Sequence, residues 1–187
     1  MLTLILGAAR SGKSRLAQRL ITTNVSDDAR VTYVATYHAG NDPEMAERIA
    51  HLRASRPESW KTIEEPVDLA SAVENAAQSS DAILVDCLTI WLSNLFWKYR
   101  DLPAHRIEDA AHTDLARIAA LAQQCRVVLV SNEVGAGVVP EHAVARSFRD
   151  THGLLNQWAA EAADEVILTV AGLPLYLKIA SESAAKQ

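Results

Sequence analysis

The stretch Leu2–Ser14, LTLILGAARSGKS, constrains the fold of this chain more than any other. Within it, Gly7-Ala8-Ala9-Arg10-Ser11-Gly12-Lys13-Ser14 fits G-x-x-x-x-G-K-[ST] without a gap. Leu2 to Leu6 is a short apolar run suited to a buried parallel strand, and from Ser14 onward Leu16, Ala17, Leu20 and Ile21 recur at helical spacing. Strand, glycine loop and helix N-terminus follow one another in the order that a phosphate cradle needs. Backbone N–H groups of the loop and the positive end of the helix dipole then face phosphate oxygens. Lys13 falls on the β/γ-phosphates and the Ser14 hydroxyl on Mg²⁺. The stretch predicts a nucleoside triphosphate site.

The length of 187 residues fits a single nucleotide-binding domain, 1–187, with a full hydrophobic core. Although 49% of the residues are apolar, no run is long enough to cross a bilayer. The N-terminal strand leads straight into the glycine loop, which argues against a signal peptide. A formal net charge of −5 speaks against a generic nucleic-acid binder, while Arg10, Lys13, Arg15 and Arg19 make the loop locally basic. Cys87 and Cys125 lack redox or metal-ligand spacing and adjoin apolar runs, so they read as buried reduced thiols. Together these features point to a soluble cytoplasmic protein without membrane insertion.

Along the chain, Val31–Ala35 reads as a second strand, followed by Thr36, Tyr37 and His38. Asp42 and Pro43 suit the N-cap and first position of a helix running to about Ser55. Trp60–Pro66 reads as a glutamate-rich connection and Asp68–Gln78 as an alanine-rich helix. Ala82–Val85 is an apolar strand ending in Asp86, the carboxylate that would complete a Mg²⁺ shell beside Ser14. Leu88–Tyr99 and Ile107–Gln124 read as helices, the first with Trp91, Leu92 and Leu95 in a core or an interface. Arg126–Val130 is a fourth strand that leads into Asn132, Glu133, Gly135 and Gly137. Asn132 and Glu133 stand where an α/β sheet binds ligand, so they are candidate substrate contacts, with Glu133 a candidate base. Glu141–Ala163 is helical with an interruption at His152-Gly153, and two closing strands, Val166–Val170 and Leu173–Ile179, follow. Pro174 makes the last an edge strand. Strands alternating with helices predict an α/β P-loop NTPase with a mainly parallel sheet flanked by helices. The histidines 105, 112, 142 and 152 show no metal-ligand spacing among themselves.

The ordered motifs GAARSGKS, YVAT from Tyr33, DPEMAERI, Arg56-Pro57, Trp60, Glu64, ILVDCLT and NEVGAGVVPE carry a more specific signal. So do Arg146, Phe148-Arg149-Asp150, GLLNQ from Gly153 and ADEV from Ala163. With them the chain resembles the bifunctional adenosylcobinamide kinase/adenosylcobinamide-phosphate guanylyltransferase family of the cobalamin pathway. The resemblance implies a RecA-like core, a trimer with sites at subunit boundaries, and two reactions. A nucleoside triphosphate, GTP or ATP, phosphorylates the aminopropanol hydroxyl of adenosylcobinamide. GMP is then transferred from GTP through a histidine phosphoramidate. The family's nucleotide contacts carry over to Gly7, Ala8, Ala9, Arg10, Ser11, Gly12, Lys13, Ser14, Ala35, Thr36, Tyr37, Arg53, Ala54, Ser55, Arg56, Glu64 and Asp86.

One position departs from the pattern. The family's nucleotidylated histidine stands four residues before the arginine of Arg56-Pro57, where this chain has Leu52 next to His51. Met45, Ile49 and Leu52 form an apolar helical stripe, and His51 lies about 100° around from Leu52. On a regular helix a ring that far round does not reach the same spot, and the residues alone also read as a solvated helix histidine. The resemblance makes His51 the candidate nucleophile, with Glu47 one turn earlier to orient its ring. A kinase without guanylyl transfer and a GTP-dependent switch or assembly subunit are the alternative readings.

Overall fold

The computed structural model describes residues 1–23, 25–26, 28–37, 47 and 56–179. In chain order the elements are β1 (Leu2–Gly7), α1 (Lys13–Ile21), β2 (Val31–Ala35), β3 (Lys61–Glu64), α2 (Leu69–Ala77), β4 (Ala82–Asp86), α3 (Leu88–Lys98), α4 (Ala104–Leu121), β5 (Arg126–Val130), α5 (Ala143–Ala162), β6 (Glu165–Val170) and β7 (Leu173–Lys178). The seven strands form one sheet in the order β3-β2-β4-β5-β1-β6-β7. All neighbours run parallel except β6 and β7, which pair antiparallel through a turn at Ala171-Gly172. β5 lies between the glycine-loop strand β1 and the Asp86 strand β4, the arrangement of a RecA-like P-loop core.

The central strands are apolar along their length because both faces are covered, as parallel sheets require. Successive side chains divide between two cores with the strand period of two. Leu2, Leu4, Ile83, Val85, Val127 and Leu129 pack on one side with Leu69, Trp91, Ile107, Leu115 and Leu155 of the helices α2 to α5. Ile5, Ala82, Leu84, Val128 and Val130 turn to the other side, against Leu16, Ala17 and Ile21 of α1. Trp91 is fully buried and its indole N–H donates to the Val67 carbonyl at 2.8 Å, so its one polar atom is satisfied. Both cysteines are buried free thiols.

Two expectations from the sequence are corrected. Lys61–Glu64 is a strand at the sheet edge rather than a connection, which makes Arg126–Val130 the fifth strand. Its exposed KTIE sequence lacks an apolar run because β3 pairs with β2 alone. The helix Ala143–Ala162 passes through His152-Gly153 without a break. The glycine costs about 1 kcal/mol relative to alanine there, which a 20-residue helix packed on the sheet absorbs. Pro174 does lie in the edge strand β7. The turn at 40–43, the helix it opens, His38, His51 and residues 180–187 lie outside the described residues, Glu47 excepted.

Candidate functional site

Register aligns the carboxyl ends of the strands. Glu64 pairs with Ala35, Ala35 with Asp86, Asp86 with Val130, and Val130 with Ile5. Beyond this row β1 continues to Gly7 and opens into the loop 8–12 that starts α1. A cleft of about 520 Å³ sits at this end of the sheet, lined by Ala9–Arg15, Tyr37, Asp86, Cys87, Ile90, Val130 and Asn132. It lies at the carboxyl ends of β1, β4 and β5, where open α/β sheets bind ligands.

The loop geometry depends on its glycines. Gly7 has φ +153°, and a Cβ there would lie 2.5 Å from the Thr169 carbonyl oxygen and 2.6 Å from Ser11 Oγ. Gly12 has φ +98°, and its Cβ would come within 3.2 Å of Gly172 Cα. Arg10 takes φ +57°. The β6–β7 turn braces the loop from below, since the Gly172 N–H donates to the Ser11 carbonyl at 2.9 Å. The Lys13 ammonium, largely buried, donates to the Ala8 carbonyl at 2.7 Å, which curls its side chain back across the loop. Arg10, Lys13 and Arg15 give the cleft a positive lining, and α1 presents its amino-terminal end to it. Such a surface suits a polyanion of phosphate size.

Asp86 also lines the cleft. The Tyr33 hydroxyl donates to Asp86 Oδ2 at 2.8 Å. Burial, followed by the neighbouring carboxylate, pushes the Tyr33 phenol far above its usual range, so it stays a donor. The Arg56 guanidinium lies 3.2 Å from the centre of the Tyr33 ring and donates to the Tyr37 hydroxyl at 3.2 Å. Arg56 is itself buried. It also lines a second cavity of about 530 Å³, together with Trp60, Thr62 and Glu64. Ser14 and Asp86 line the main cleft together, two hard oxygen donors of the kind that Mg²⁺ takes alongside phosphate and water. Among the described residues, no group of three or more His, Cys, Asp or Glu side chains could hold a metal ion.

Ala35 and Thr36 do not line the cleft. Ala35 is buried, and the Thr36 hydroxyl donates to the Cys87 carbonyl at 2.7 Å while accepting from the Cys87 N–H at 2.8 Å. Thr36 thus clamps the end of β2 to the end of β4, at the cis Asp86–Cys87 peptide. Arg53, Ala54 and Ser55 lie outside the described residues.

After β5, three consecutive N–H groups are anchored: Ser131 to the Ile5 carbonyl at 2.9 Å, Asn132 to Thr89 Oγ1 at 2.8 Å, and Glu133 to the Gly7 carbonyl at 3.0 Å. Asn132 faces the cleft, whereas Glu133 does not line it. Two groups escaped the reading of the sequence. Tyr33, within a fully buried strand, needs a partner for its hydroxyl. His152 and Asn156 share the inner stripe of α5 with Leu155 and Ala159, a 3.6-residue period that marks both polar residues as buried.

Comparison with known proteins agrees with this geometry. The family model described as cobinamide kinase/cobinamide phosphate guanyltransferase matches residues 3–177. The chain is 45% identical over 184 residues to the bifunctional adenosylcobalamin biosynthesis protein CobP of Pseudomonas aeruginosa, covering 95% of this chain and 98% of that one. It is 39% identical over 186 residues to the corresponding CobU protein of Escherichia coli, covering 95% and 100%. Among solved structures, the flagellar accessory protein FlaH from Methanocaldococcus jannaschii superposes with a TM-score of 0.52 at 17% identity, covering 95% of this chain and 78% of that one, a likeness of fold. The glycine loop, the Asp86 strand and these matches over almost the whole chain lead to one conclusion: the chain belongs to the cobinamide kinase/cobinamide phosphate guanylyltransferase family.

Proposed function

We propose that this chain phosphorylates adenosylcobinamide on its aminopropanol hydroxyl and then converts the product to adenosylcobinamide-GDP, with GTP held on the loop Gly7–Ser14. The observation that carries the reading is the single cleft in which Lys13, Ser14 and Asp86 converge at the sheet's carboxyl edge. In the kinase step the acceptor hydroxyl oxygen bonds to the γ-phosphorus, the bond to the β–γ bridging oxygen breaks with the nucleoside diphosphate as leaving group, and the hydroxyl proton passes to solvent. Lys13 and Arg10 offset charge on the transferred group, and the loop N–H groups hold the remaining phosphates. ATP in place of GTP would meet the same loop contacts. Ser14 and Asp86 would hold Mg²⁺, which neutralises charge on the phosphate oxygens when bound.

In the second step a His51 ring nitrogen bonds to the α-phosphorus of GTP and pyrophosphate departs. The phosphate of adenosylcobinamide phosphate then displaces the imidazole. Arg56 and Glu64, which line the second cavity, serve the nucleotide together with Arg53, Ala54 and Ser55, and Asn132 and Glu133 serve the acceptor. Assembly as a homotrimer is supported by β7, where Leu173, Leu175 and Leu177 stand exposed on an apolar edge strand. Light scattering at three times the chain mass of 20.3 kDa would bear this out, and a monomer would refute it.

Incubation with α-labelled GTP and Mg²⁺ tests the chemistry. Acid-labile, alkali-stable label that disappears in His51→Ala is the expected result. Phosphorylation of adenosylcobinamide without label would leave a kinase alone, as the displacement of the histidine by Leu52 allows. Protection by GTP against unfolding with neither reaction would leave a switch.

A further inference from the structure

We propose that His152 is a positioning residue for the acceptor side of the cleft, acting through Thr89 and Ser131 to hold the backbone of Asn132. The inference rests on the assignment of Asn132 to the acceptor made above.

The network is closed and the direction of each bond follows from its chemistry. His152 Nε2 lies 2.9 Å from Thr89 Oγ1 and 3.4 Å from Ser131 Oγ. The Ser131 hydroxyl spends its proton on Asn156 Oδ1 at 2.7 Å, so towards His152 it can only accept. Thr89 Oγ1 already accepts the Asn132 N–H at 2.8 Å, and Asn156 Nδ2 donates to the Asn132 carbonyl at 3.0 Å. A proton on Nε2 serves both oxygens, whereas one on Nδ1 would be a buried donor with no partner, because Nδ1 is sealed without one. The network therefore selects the neutral Nε2–H tautomer. Burial agrees with neutrality, since it lowers the His152 pKa to about 4.

The residues come from three separate elements. Thr89 lies in the first turn of α3, His152 and Asn156 on the inner stripe of α5, and Ser131 and Asn132 at the end of β5. Both backbone groups of Asn132 are thereby fixed, one through each arm of the network. Asn132 itself lines the cleft, together with the glycine loop. None of these bonds reaches Lys13 or the loop N–H groups, so loosening them should disturb the acceptor and spare the triphosphate.

The test compares His152→Leu, which keeps bulk but loses the donor, with His152→Gln, whose amide N–H can reach where Nε2–H did. Thr89→Val cuts the same link at its other end and serves if His152→Leu does not fold. We expect His152→Leu and Thr89→Val to raise the KM for adenosylcobinamide about five- to tenfold, with GTP affinity within twofold of the parent. Glutamine should restore most of the loss, and the double variant should lose no more than either single one. In ¹⁵N spectra of the imidazole, His152 should report the Nε2–H form without titrating between about pH 5.5 and 9.

Equal losses of GTP and corrinoid affinity would overturn the proposal. So would an unchanged corrinoid KM in both variants, failure of the glutamine rescue, or the Nδ1–H tautomer. Asn132→Ala separates this result from the reading beneath it. If that variant leaves the corrinoid KM unchanged, the assignment of Asn132 to the acceptor fails. If it raises the KM while His152→Leu does not, only the positioning role falls.

Discussion

At the scale of single residues, the cleft depends on side chains that act through their neighbours as well as on those that face a ligand. Tyr33 donates to one oxygen of Asp86, which fixes the carboxylate's rotation in its wall of the cleft. Tyr33→Phe keeps the packing and the Arg56 stack but frees that oxygen. The Mg²⁺ concentration for half-maximal activity should then rise about tenfold at saturating GTP, as expected for a group that orients a metal ligand. An unaltered Mg²⁺ titration would show that the hydroxyl orients nothing. Lys13 offers a contrasting prediction. Lys13→Ala should lower triphosphate turnover at least about a hundredfold while far-UV circular dichroism stays that of the parent. Parental turnover in this variant would end the role assigned to the loop.

At the scale of elements, the β6–β7 hairpin supports the glycine loop although it contributes no side chain to the cleft lining. Thr169 and Gly172 press against Gly7 and Gly12, so loop and hairpin form one packed unit. Gly7→Ala places its methyl group against backbone as well as against the Ser11 side chain, at a φ that a side chain disfavours. We expect a loss of more than about 2 kcal/mol of stability and the disappearance of the thermal shift produced by GTP. A variant with parental melting and a full GTP shift would mean that the loop relaxes at little cost. The elements also mark the limits of pattern reading. The strands β1, β4 and β5 were legible because burial on both faces demands an uninterrupted apolar run. β3 was not, because an exposed edge strand has no such demand and its register comes entirely from β2.

At the scale of the whole molecule, the buried histidine links stability to pH. The folded pKa of His152, about 4, lies below the ordinary value of 6.5, so between these values the unfolded chain binds the additional proton. His152 therefore makes stability rise with pH across that window and fall as acid is added from pH 6.5 towards 4. A displacement of this size corresponds to roughly 3 kcal/mol at the acid end. Urea unfolding at pH 7 and pH 4.5 should show a smaller difference in His152→Leu than in the parent. An equal difference in both would assign the acid sensitivity to other groups. Among the described residues no helix is long and apolar enough to cross a membrane. Apolar side chains fill the two cores flanking the sheet and stand exposed along the edge strand β7.

By itself the sequence determined the nucleotide loop, the central strands and the family. Each of these is written locally, in a glycine spacing, an apolar period or an ordered string of motifs. Only the tertiary structure decided which residues share the cleft and which support it from behind. Thr36 proved to be a clamp between β2 and β4, Arg56 a buried cation stacked on Tyr33, and His152 the centre of a network joining α3, α5 and β5. Those roles belong to pairs separated by as many as 63 residues, and a hydrogen bond exists only once folding has brought both of its ends together.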